Sequence, residues 1–397
     1  MNTQQLIAAA EHYFVPNYGT RQLVLDHGRG AEVWDTEGRR YLDFVAGIAV
    51  NALGHADPAI TAALIEQAPK LVHTSNLYLT VPGIELAKLL VETSFADKVF
   101  FANSGTEAVE GAFKFARKAS YGQHLPDKTT IVAFEGSFHG RTMGAVAATA
   151  REKYRLPFMP VMPGVRFAPY NDLAAAEAAI TDDVCAVIVE PIQGEGGINS
   201  ASDAFLHKLR ELCDRVHAYL IVDEIQAGGG RSGVLWSYQA NGVRPDILVA
   251  AKPLGGGLPI GAILITDQVA SFIHAGDHGS TFAGGPLVCA VALTVFRKLS
   301  DPQFLAHVRE VGAYLGQRLG ELQGLHGKVV EVRGRGLMRG VQVAGSAAAV
   351  RDAAQEDGLL VATAGDDVIR LVPPLIIERH DVDEAVSILR HALEVLD

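Results

Sequence analysis

Short apolar runs and amphipathic stretches alternate along the chain from about residue 98 onward. The apolar runs predict β-strands, and the run VCAVIV (184–189) contains no polar residue, which favours burial on both faces of a sheet. The stretches between them have apolar residues three and four positions apart, the spacing of a helix with one buried face. Strands are predicted in KVFFANSG (98–105), which runs into a loop, TTIVAFEG (129–136), VCAVIVEP (184–191), YLIVDE (219–224) and DILVAAK (246–252), and helices in TEAVEGAFKFARKAS (106–120) and SDAFLHKLRELCDRVHA (202–218). This alternation predicts an α/β fold with a mainly parallel central sheet.

The chain on either side of this region has a different pattern. Apolar and polar residues alternate in VWDTEGRRYLDF (33–44), which predicts short strands around a turn. Beyond residue 290, long helical stretches lead into VVEVRGRGLMRGVQVA (329–344) and VIRLVPPLII (368–377), the pattern of a smaller α+β domain. Because 397 residues exceed what one core usually holds, more than one domain is expected. We predict an N-terminal segment (1–55) that packs with the small domain, a large domain (56–285) and a small C-terminal domain (286–397).

Composition and charge narrow the range of partners. Hydrophobic residues make up 49% of the chain and charged residues 20%, a mix typical of a soluble globular protein. The formal net charge is −11 and no run of lysine and arginine occurs, so nucleic-acid and membrane-surface partners are not expected. No apolar stretch reaches the roughly 18 residues needed to cross a bilayer, and the N-terminus lacks the features of a targeting peptide. A cytoplasmic location is therefore predicted.

The three cysteines, Cys185, Cys213 and Cys289, form no CxxC pair. An odd and sparse count argues against a disulfide framework. Because Cys185 and Cys213 lie within apolar patterns, we expect them to be buried packing residues in a reducing compartment.

One lysine and one aspartate occupy positions that suggest chemistry. Asp223 ends an apolar strand, and Lys252 follows the next one, so both are expected at the same edge of the sheet, where ligands of such sheets bind. The glycines Gly255–Gly257 after Lys252 suggest that something bulky approaches the backbone. Pyridoxal phosphate (PLP) needs such a pair, since its aldehyde takes a nucleophilic lysine amine and its ring nitrogen stays protonated beside a carboxylate.

The segment Asn103-Ser104-Gly105-Thr106-Glu107 lies where a predicted strand meets a predicted helix. Ser104-x-x-Glu107 has the form of a capping box, which is a structural feature. The same backbone N–H groups and hydroxyls at a helix N-terminus also suit an anion such as a phosphate. The two interpretations are compatible.

Other motifs have several interpretations. The residues Gly228–Gly233 match GxGxxG, but no long helix and no acidic residue at the end of a following strand accompany them, so a dinucleotide site is not expected. Arg141, Glu195 and Arg370 either form structural ion pairs or bind a ligand. His55 and His139 have no metal-binding partner motif, so no metal site is predicted.

Taken together, several segments resemble the class III (ω-amino acid) aminotransferases, which are PLP enzymes of fold type I. The resemblance runs from VWDTEGRRYLDF to VIRLVPPLII, nearly the whole chain, and is most similar to the acetylornithine aminotransferase subfamily. The matching segments are FANSGTEAVEGAFKFAR, FHGRT, EPIQGEGG, VDEIQAGGGRSG, AKPLGGGLPIGA, HGSTFAGGPL and VRGRGLMRG.

This resemblance implies how PLP is held. Lys252 carries the cofactor as a Schiff base and acts as the catalytic base and acid, Asp223 pairs with the ring nitrogen, and Gln226 lies near the ring hydroxyl. Phe138 stacks on the ring, while Ser104, Gly105 and Thr106 bind the phosphate. Thr281 reaches the phosphate of the other subunit, which implies a homodimer.

The resemblance also implies the substrates. Arg141 holds a substrate carboxylate, Arg370 holds the α-carboxylate of 2-oxoglutarate, and Glu195 masks Arg370 while the amino donor is bound. N-acetylornithine is the expected donor. N-succinylornithine, ornithine and 4-aminobutyrate remain alternatives, although DFVAGIAVN lacks the tyrosine usual in ornithine aminotransferases. Gly285 and Val109, where the family often has asparagine, leave the acyl group open. A PLP-dependent aminomutase and a PLP-binding regulator are rival functions.

Overall fold

A seven-stranded sheet forms the centre of the computed structural model, which describes residues 1–19, 22–325 and 327–396. Its strands lie in the spatial order Lys98–Ala102, Gly261–Ile265, Ile247–Ala250, Tyr219–Asp223, Val184–Val189, Thr130–Phe134 and Val165–Ala168. Of these described strands, Gly261–Ile265 alone runs against its neighbours. The predicted α/β class with a mainly parallel sheet is confirmed.

Helices cover both faces of this sheet. Successive residues of a strand point to opposite faces, so Ile221 joins the buried cluster that includes helix Gly105–Gly122, and Leu220 joins the cluster that includes helix Asp203–Val216. Every residue of Val184–Val189 is buried. Burial on both sides explains why the strands read as continuous apolar runs.

Two strands of the sheet were not predicted. Val165–Ala168 is a short edge strand that includes Arg166, and Gly261–Ile265 follows directly on a glycine-rich loop. Arg166 interrupts the apolar pattern of the first, whereas the second is five buried residues long and has the same apolar pattern as the predicted strands.

Two smaller sheets involve the ends of the chain. One consists of Val329–Arg335, Met338–Val343, Val368–Leu371 and Ala362–Thr363, and the other of Leu25–Arg29, Glu32–Asp35, Arg40–Asp43 and Leu359–Leu360. In the second sheet the N-terminal strand Arg40–Asp43 pairs in parallel with Leu359–Leu360 from the C-terminal part of the chain. Ile192–Gln193 and Asn199–Ser200 form a two-stranded ribbon. The division of the chain at residues 55 and 285 stays a prediction.

Helices make up most of the remaining structure. The longer ones are Thr3–Tyr13, Pro58–Gln67, Val81–Glu92, Gly105–Gly122, Asp203–Val216, Pro286–Leu299, Pro302–Gly320, Ala347–Glu356 and Arg379–Val395, and the shorter ones Ala46–Ala49, Met143–Ala147, Glu152–Arg155, Leu173–Ala179 and Asp267–Ala270. Within the described part of the chain, no helix combines the length and apolar character that crossing a membrane requires.

All three cysteines are free and buried, as expected for Cys185 and Cys213. Burial raises the pKa of the Cys185 thiol to about 11 and that of Cys213 and Cys289 to about 12. These thiols pack within the core.

Candidate active site

The chemistry-bearing residues meet where the strands of the central sheet end. Asp223 is the last residue of its strand and pairs in register with Val249 of the neighbouring strand, so Lys252 lies just past the end of that neighbour. The loops that follow these strands enclose a cavity of about 250 Å³. Its lining comprises Gly105, Thr106, Phe138, His139, Gly140, Arg141, Glu190, Asp223, Ile225, Gln226 and Lys252. This is the sheet edge at which ligands of parallel α/β folds bind.

Lys252 presents an unpaired amine to this cavity. Its side chain lines the cavity and has no ion pair or hydrogen bond to any other residue that the structure describes. Burial removes water from the ammonium group, and the positive charge of Arg370 adds to the effect, so the pKa of Lys252 falls from 10.5 to about 8. A neutral amine is therefore accessible near physiological pH, which is what a lysine nucleophile requires.

Gly256 and Gly105 each have an apolar side chain packed closely against them. Gly256 has a φ of +56°, and a Cβ there would lie 2.6 Å from the Ile60 side chain. A Cβ on Gly105 would lie 2.9 Å from Ile225, which itself lines the cavity. The absence of a Cβ therefore lets Ile60 and Ile225 pack closely at these positions, and the close approach of a ligand that their sequence context suggests stays a prediction.

Asp223 is held in a fixed orientation by two hydrogen bonds. Its Oδ2 lies 2.7 Å from Nδ1 of His139, and its Oδ1 accepts a hydrogen bond of 3.0 Å from the N–H of Ile225. Both Asp223 and His139 are buried. His139 was considered in the sequence only as an unlikely metal ligand. Its position in FHGRT, after a strand adjoining the same sheet edge, was the available signal.

Two further buried carboxyl groups accompany Asp223. Glu190 accepts hydrogen bonds of 3.1 Å from the N–H groups of Phe138 and Gly194 and so joins two of the cavity loops. Burial raises the pKa of Glu190 to about 7. Glu224 accepts a hydrogen bond of 2.8 Å from the N–H of Tyr238, and burial raises its pKa to about 7 as well. Sequence reasoning assigned neither residue a role.

The segment 103–107 forms the predicted helix start. Ser104 Oγ accepts a hydrogen bond of 3.3 Å from the N–H of Glu107, which makes Ser104 the N-cap of helix Gly105–Gly122. The Glu107 carboxylate bonds to the N–H of Asn103 at 2.9 Å, one residue earlier than a capping box requires. Gly105 and Thr106 of the first turn line the cavity, and the Thr106 hydroxyl accepts hydrogen bonds of 3.3 Å from the N–H groups of Arg141 and Thr142. This arrangement suits an anion.

Arg141 and Phe138 lie on the same loop at the rim of the cavity. The Arg141 guanidinium carbon is 3.5 Å from the ring centre of Tyr154 and 5.6 Å from that of Phe138. Both Arg141 and Phe138 line the cavity, and Arg141 is otherwise exposed. The Arg141 guanidinium, with free N–H groups, therefore lies at the rim of the cavity.

Glu195 and Arg370 form an ion pair beside the cavity. Arg370 Nη1 also donates hydrogen bonds of 3.0 Å to the Gly194 carbonyl and 3.1 Å to Oε1 of Gln226, which lines the cavity. Burial opposes ionisation of Glu195, but the charge and hydrogen bond of Arg370 outweigh it and lower the pKa of that carboxyl. The Arg370 side chain is 3% exposed, so its charge depends on this partner.

The structure brings together most, but not all, of the residues singled out in the sequence. Seven of them line the cavity, namely Gly105, Thr106, Phe138, Arg141, Asp223, Gln226 and Lys252. Arg370 contacts the lining residue Gln226, Glu195 pairs with Arg370, and Ser104 precedes Gly105 in the chain. Thr281 is exposed on a surface loop and does not line it. Across residues 1–19, 22–325 and 327–396, no group of three His, Cys, Asp or Glu side chains is placed to hold a metal ion.

The residues around the cavity fit PLP. The cavity, at about 250 Å³, has room for a small ring compound. It combines an unpaired amine of lowered pKa, a carboxylate fixed by His139 and an open helix N-terminus. These are the partners that an aldehyde, a protonated ring nitrogen and a phosphate require.

Comparisons with known proteins point in the same direction. The family model Aminotransferase class-III matches residues 13–393. The mitochondrial acetylornithine aminotransferase of Alnus glutinosa is 50% identical over 100% of this chain and 89% of its own. A succinylornithine transaminase of Yersinia pseudotuberculosis is 47% identical, over 97% of this chain and 95% of its own. Among solved structures, the ornithine aminotransferase of Toxoplasma gondii superposes with a TM-score of 0.95 at 34% identity and covers 100% of this chain and 96% of its own.

Proposed function

The chain belongs to the PLP-dependent class III aminotransferases, and within that family we propose that it transfers the terminal amino group of N-acetylornithine to 2-oxoglutarate. The products are N-acetylglutamate semialdehyde and glutamate, a step of arginine biosynthesis. The observation that carries the proposal is the unpaired Lys252 amine facing a cavity that also contains the oriented carboxylate of Asp223. Relatives named for N-acetylornithine at 50% and 44% identity support this donor.

We propose that the cavity residues hold the cofactor in the roles that the sequence suggested. Lys252 binds it covalently through Nζ, Asp223 keeps the ring nitrogen protonated, and Phe138 lies against the ring. Gln226 lies near its hydroxyl, and Ser104, Gly105 and Thr106 bind its phosphate. When bound, PLP withdraws electrons from the donor carbon and makes its hydrogen acidic.

Lys252 then carries the proton transfer. When the donor amine takes the place of Lys252, the freed Lys252 Nζ would accept the proton from the amine-bearing carbon of the donor. The same Nζ would then give that proton up again as the conjugate acid. The lowered pKa of Lys252 suits a group that must both accept and release a proton near neutral pH. His139 supports this step indirectly by fixing the carboxylate of Asp223.

The Lys252 pKa gives a testable pH dependence. Because only the neutral amine attacks an aldehyde, the rate at which the apoenzyme takes up PLP should rise with pH and level off above about pH 8. Below that value the amine is protonated, so each further unit of pH should slow uptake about tenfold. Stopped-flow absorbance measures this rate. A plateau reached only above pH 10 would contradict the lowered pKa.

We propose that Glu195 and Arg370 form a switch between the two half-reactions. With the amino donor bound, Glu195 neutralises the buried guanidinium, which would otherwise be an uncompensated charge. With 2-oxoglutarate bound, the α-carboxylate of that substrate takes the place of Glu195. The existing ion pair and the lowered pKa of Glu195 support this role.

Glu195→Gln is expected to separate the two half-reactions. Glutamine can still accept a hydrogen bond from Arg370 but leaves the buried charge of Arg370 uncompensated, so the kcat/KM for N-acetylornithine should fall roughly ten- to a hundredfold. The KM for 2-oxoglutarate should stay the same or fall, since a neutral amide competes for Arg370 less strongly than a carboxylate. Steady-state kinetics with each substrate varied in turn measure both. Glu331→Gln, which breaks an exposed pair with Arg333, is the control and should leave both values unchanged.

The donor is tested by comparing four amines with 2-oxoglutarate as acceptor. N-acetylornithine should be used most efficiently, and N-succinylornithine is the second candidate because a relative with that name is 47% identical. The segment DFVAGIAVN lacks a tyrosine, and this absence disfavours free ornithine as the donor. Ile48 of that segment occupies an exposed left-handed turn. If 4-aminobutyrate proved far more efficient than either acylated amine, the proposed donor would be wrong.

Two other functions are less well supported. An aminomutase would need no external acceptor, whereas the Glu195–Arg370 pair provides for one. Formation of one glutamate per donor consumed distinguishes a transferase from a mutase. A PLP-binding regulator would need a nucleic-acid-binding module, and the net charge of −11 disfavours one.

We propose that the enzyme acts as a homodimer in which Thr281 reaches the cofactor phosphate of the other subunit. Large apolar side chains are exposed beside it, with Leu77, Leu79 and Phe282 at 80%, 89% and 68%. The Asn76 side chain donates a hydrogen bond of 2.9 Å to the Ser280 carbonyl and joins these segments into one surface. Apolar surfaces of this kind usually become interfaces.

Light scattering should give the dimer mass, and a fully active monomer would exclude this role of Thr281. The cytoplasmic location stays a prediction.

A further inference from the structure

Arg141 is held by aromatic rings rather than by charge. Its guanidinium has no ion pair or side-chain hydrogen bond to another described residue, and its carbon lies 3.5 Å from the ring centre of Tyr154. The distance is that of a guanidinium lying on the ring, which leaves its N–H edges free. Those edges are the groups that bind a carboxylate through two parallel hydrogen bonds.

Tyr154 is itself held in place from two sides. Tyr154 belongs to the short helix Glu152–Arg155. Arg151, which precedes this helix, donates a hydrogen bond to the Glu195 carbonyl, and Arg155 at its end donates one of 3.1 Å to the Thr149 carbonyl. Its ring also meets the Phe138 ring edge to face, with centres 6.3 Å apart and planes at 86°. The Tyr154 face is therefore a fixed surface for Arg141.

The Tyr154 hydroxyl has no such role, because it forms no hydrogen bond with the residues that the structure describes. The ring, and not the phenol, makes the contact with Arg141. Phenylalanine should therefore serve at this position as well as tyrosine, whereas an aliphatic side chain of similar size should not.

We infer that Tyr154 is a positioning residue that sets donor specificity: its ring holds the Arg141 guanidinium in the orientation that binds the α-carboxylate of the amino donor. The inference rests on the proposed function, in which Arg141 binds a substrate carboxylate. A surface arginine loses rotamer freedom when it binds a ligand, and stacking on a fixed ring removes most of that loss beforehand. The contact thus contributes to donor binding and not to the proton transfer at Lys252.

The test compares Tyr154→Leu with Tyr154→Phe in the PLP-loaded enzyme. Tyr154→Leu should raise the KM for N-acetylornithine about fivefold, within the range for a cation–π contact, with kcat changed less than about twofold. Tyr154→Phe should match the wild type. Lys153→Met removes a neighbouring positive charge near the same ring and should also leave the KM unchanged. An equal rise in Lys153→Met would mean that general positive charge, not stacking, attracts the donor, and would overturn the inference.

A second probe isolates the carboxylate. N-acetylputrescine equals N-acetylornithine without its α-carboxylate, and its binding, measured as a donor or competitive inhibitor, should be the same in Tyr154→Leu and the wild type. Weaker binding of both compounds would indicate general damage to the site and overturn the inference. The comparison within one protein holds even if Tyr154→Leu is less stable than the wild type.

Arg141→Met separates this inference from the proposed function. If Arg141→Met leaves the KM for N-acetylornithine unchanged, the carboxylate site of the proposed function is wrong. If Arg141→Met raises it while Tyr154→Leu does not, the positioning role alone is wrong. The inference is supported if both raise it and Tyr154→Leu adds nothing in the Arg141→Met background.

Discussion

Lys252→Ala is expected to abolish turnover and the visible absorption of the lysine-bound cofactor. In the proposed function this side chain supplies both the covalent link and the proton transfer, so transamination should fall by at least about four orders of magnitude. The lowered pKa and the absence of an ion pair to a described residue support that role. Absorbance of the purified protein with PLP and a glutamate-forming assay measure the two effects.

Lys128→Met is the matched control for this substitution. Lys128 is also a buried lysine whose pKa is lowered by burial, but its ammonium donates to the carbonyls of Asp182 and Val216, away from the cavity. Its replacement should leave the visible band and turnover intact. An unchanged band in Lys252→Ala, or its loss in Lys128→Met, would show that the amine has been assigned to the wrong residue.

Asp223→Asn is expected to lower kcat roughly 10²- to 10³-fold while the protein still binds PLP. Asparagine has the same shape but no charge, so it cannot keep the ring nitrogen protonated. Removing one electrostatic partner of developing charge usually costs that much in rate. The measurement is single-turnover loss of N-acetylornithine, which reports the donor half-reaction alone.

Glu224→Gln tests whether the loss of kcat is specific to the carboxyl group of residue 223 or follows from neutralising any buried carboxyl group at this strand end. Glu224 is the next residue and is fully buried, but it bonds to the N–H of Tyr238 and does not line the cavity. Since burial raises its pKa to about 7, a neutral amide is a close substitute, and kcat should stay within about threefold of the wild type. Equal losses in Asp223→Asn and Glu224→Gln would refute the assignment of Asp223.

The meeting of Asp223 and Lys252 at one cavity could be predicted because it depends on local pattern and strand order. Asp223 and Lys252 each follow an apolar run, and ends of adjacent parallel strands must lie close together. The partners of that pair were harder to find. His139 contacts Asp223 across 84 positions of sequence, and no periodicity connects the two. The contact of Tyr154 with Arg141 could not be found from the sequence either, since a stacking contact produces no characteristic spacing of residues along the chain.

The sequence by itself determined the α/β class, the strand ends that carry chemistry and the family, because hydrophobic period and motif order are local properties. Tertiary structure decided which loops meet. It placed His139 against Asp223 and Arg141 on the ring of Tyr154, and it packed Ile225 and Ile60 against the glycines at 105 and 256. Contacts between distant segments depend on how the layers pack, and that information is spread over the whole core.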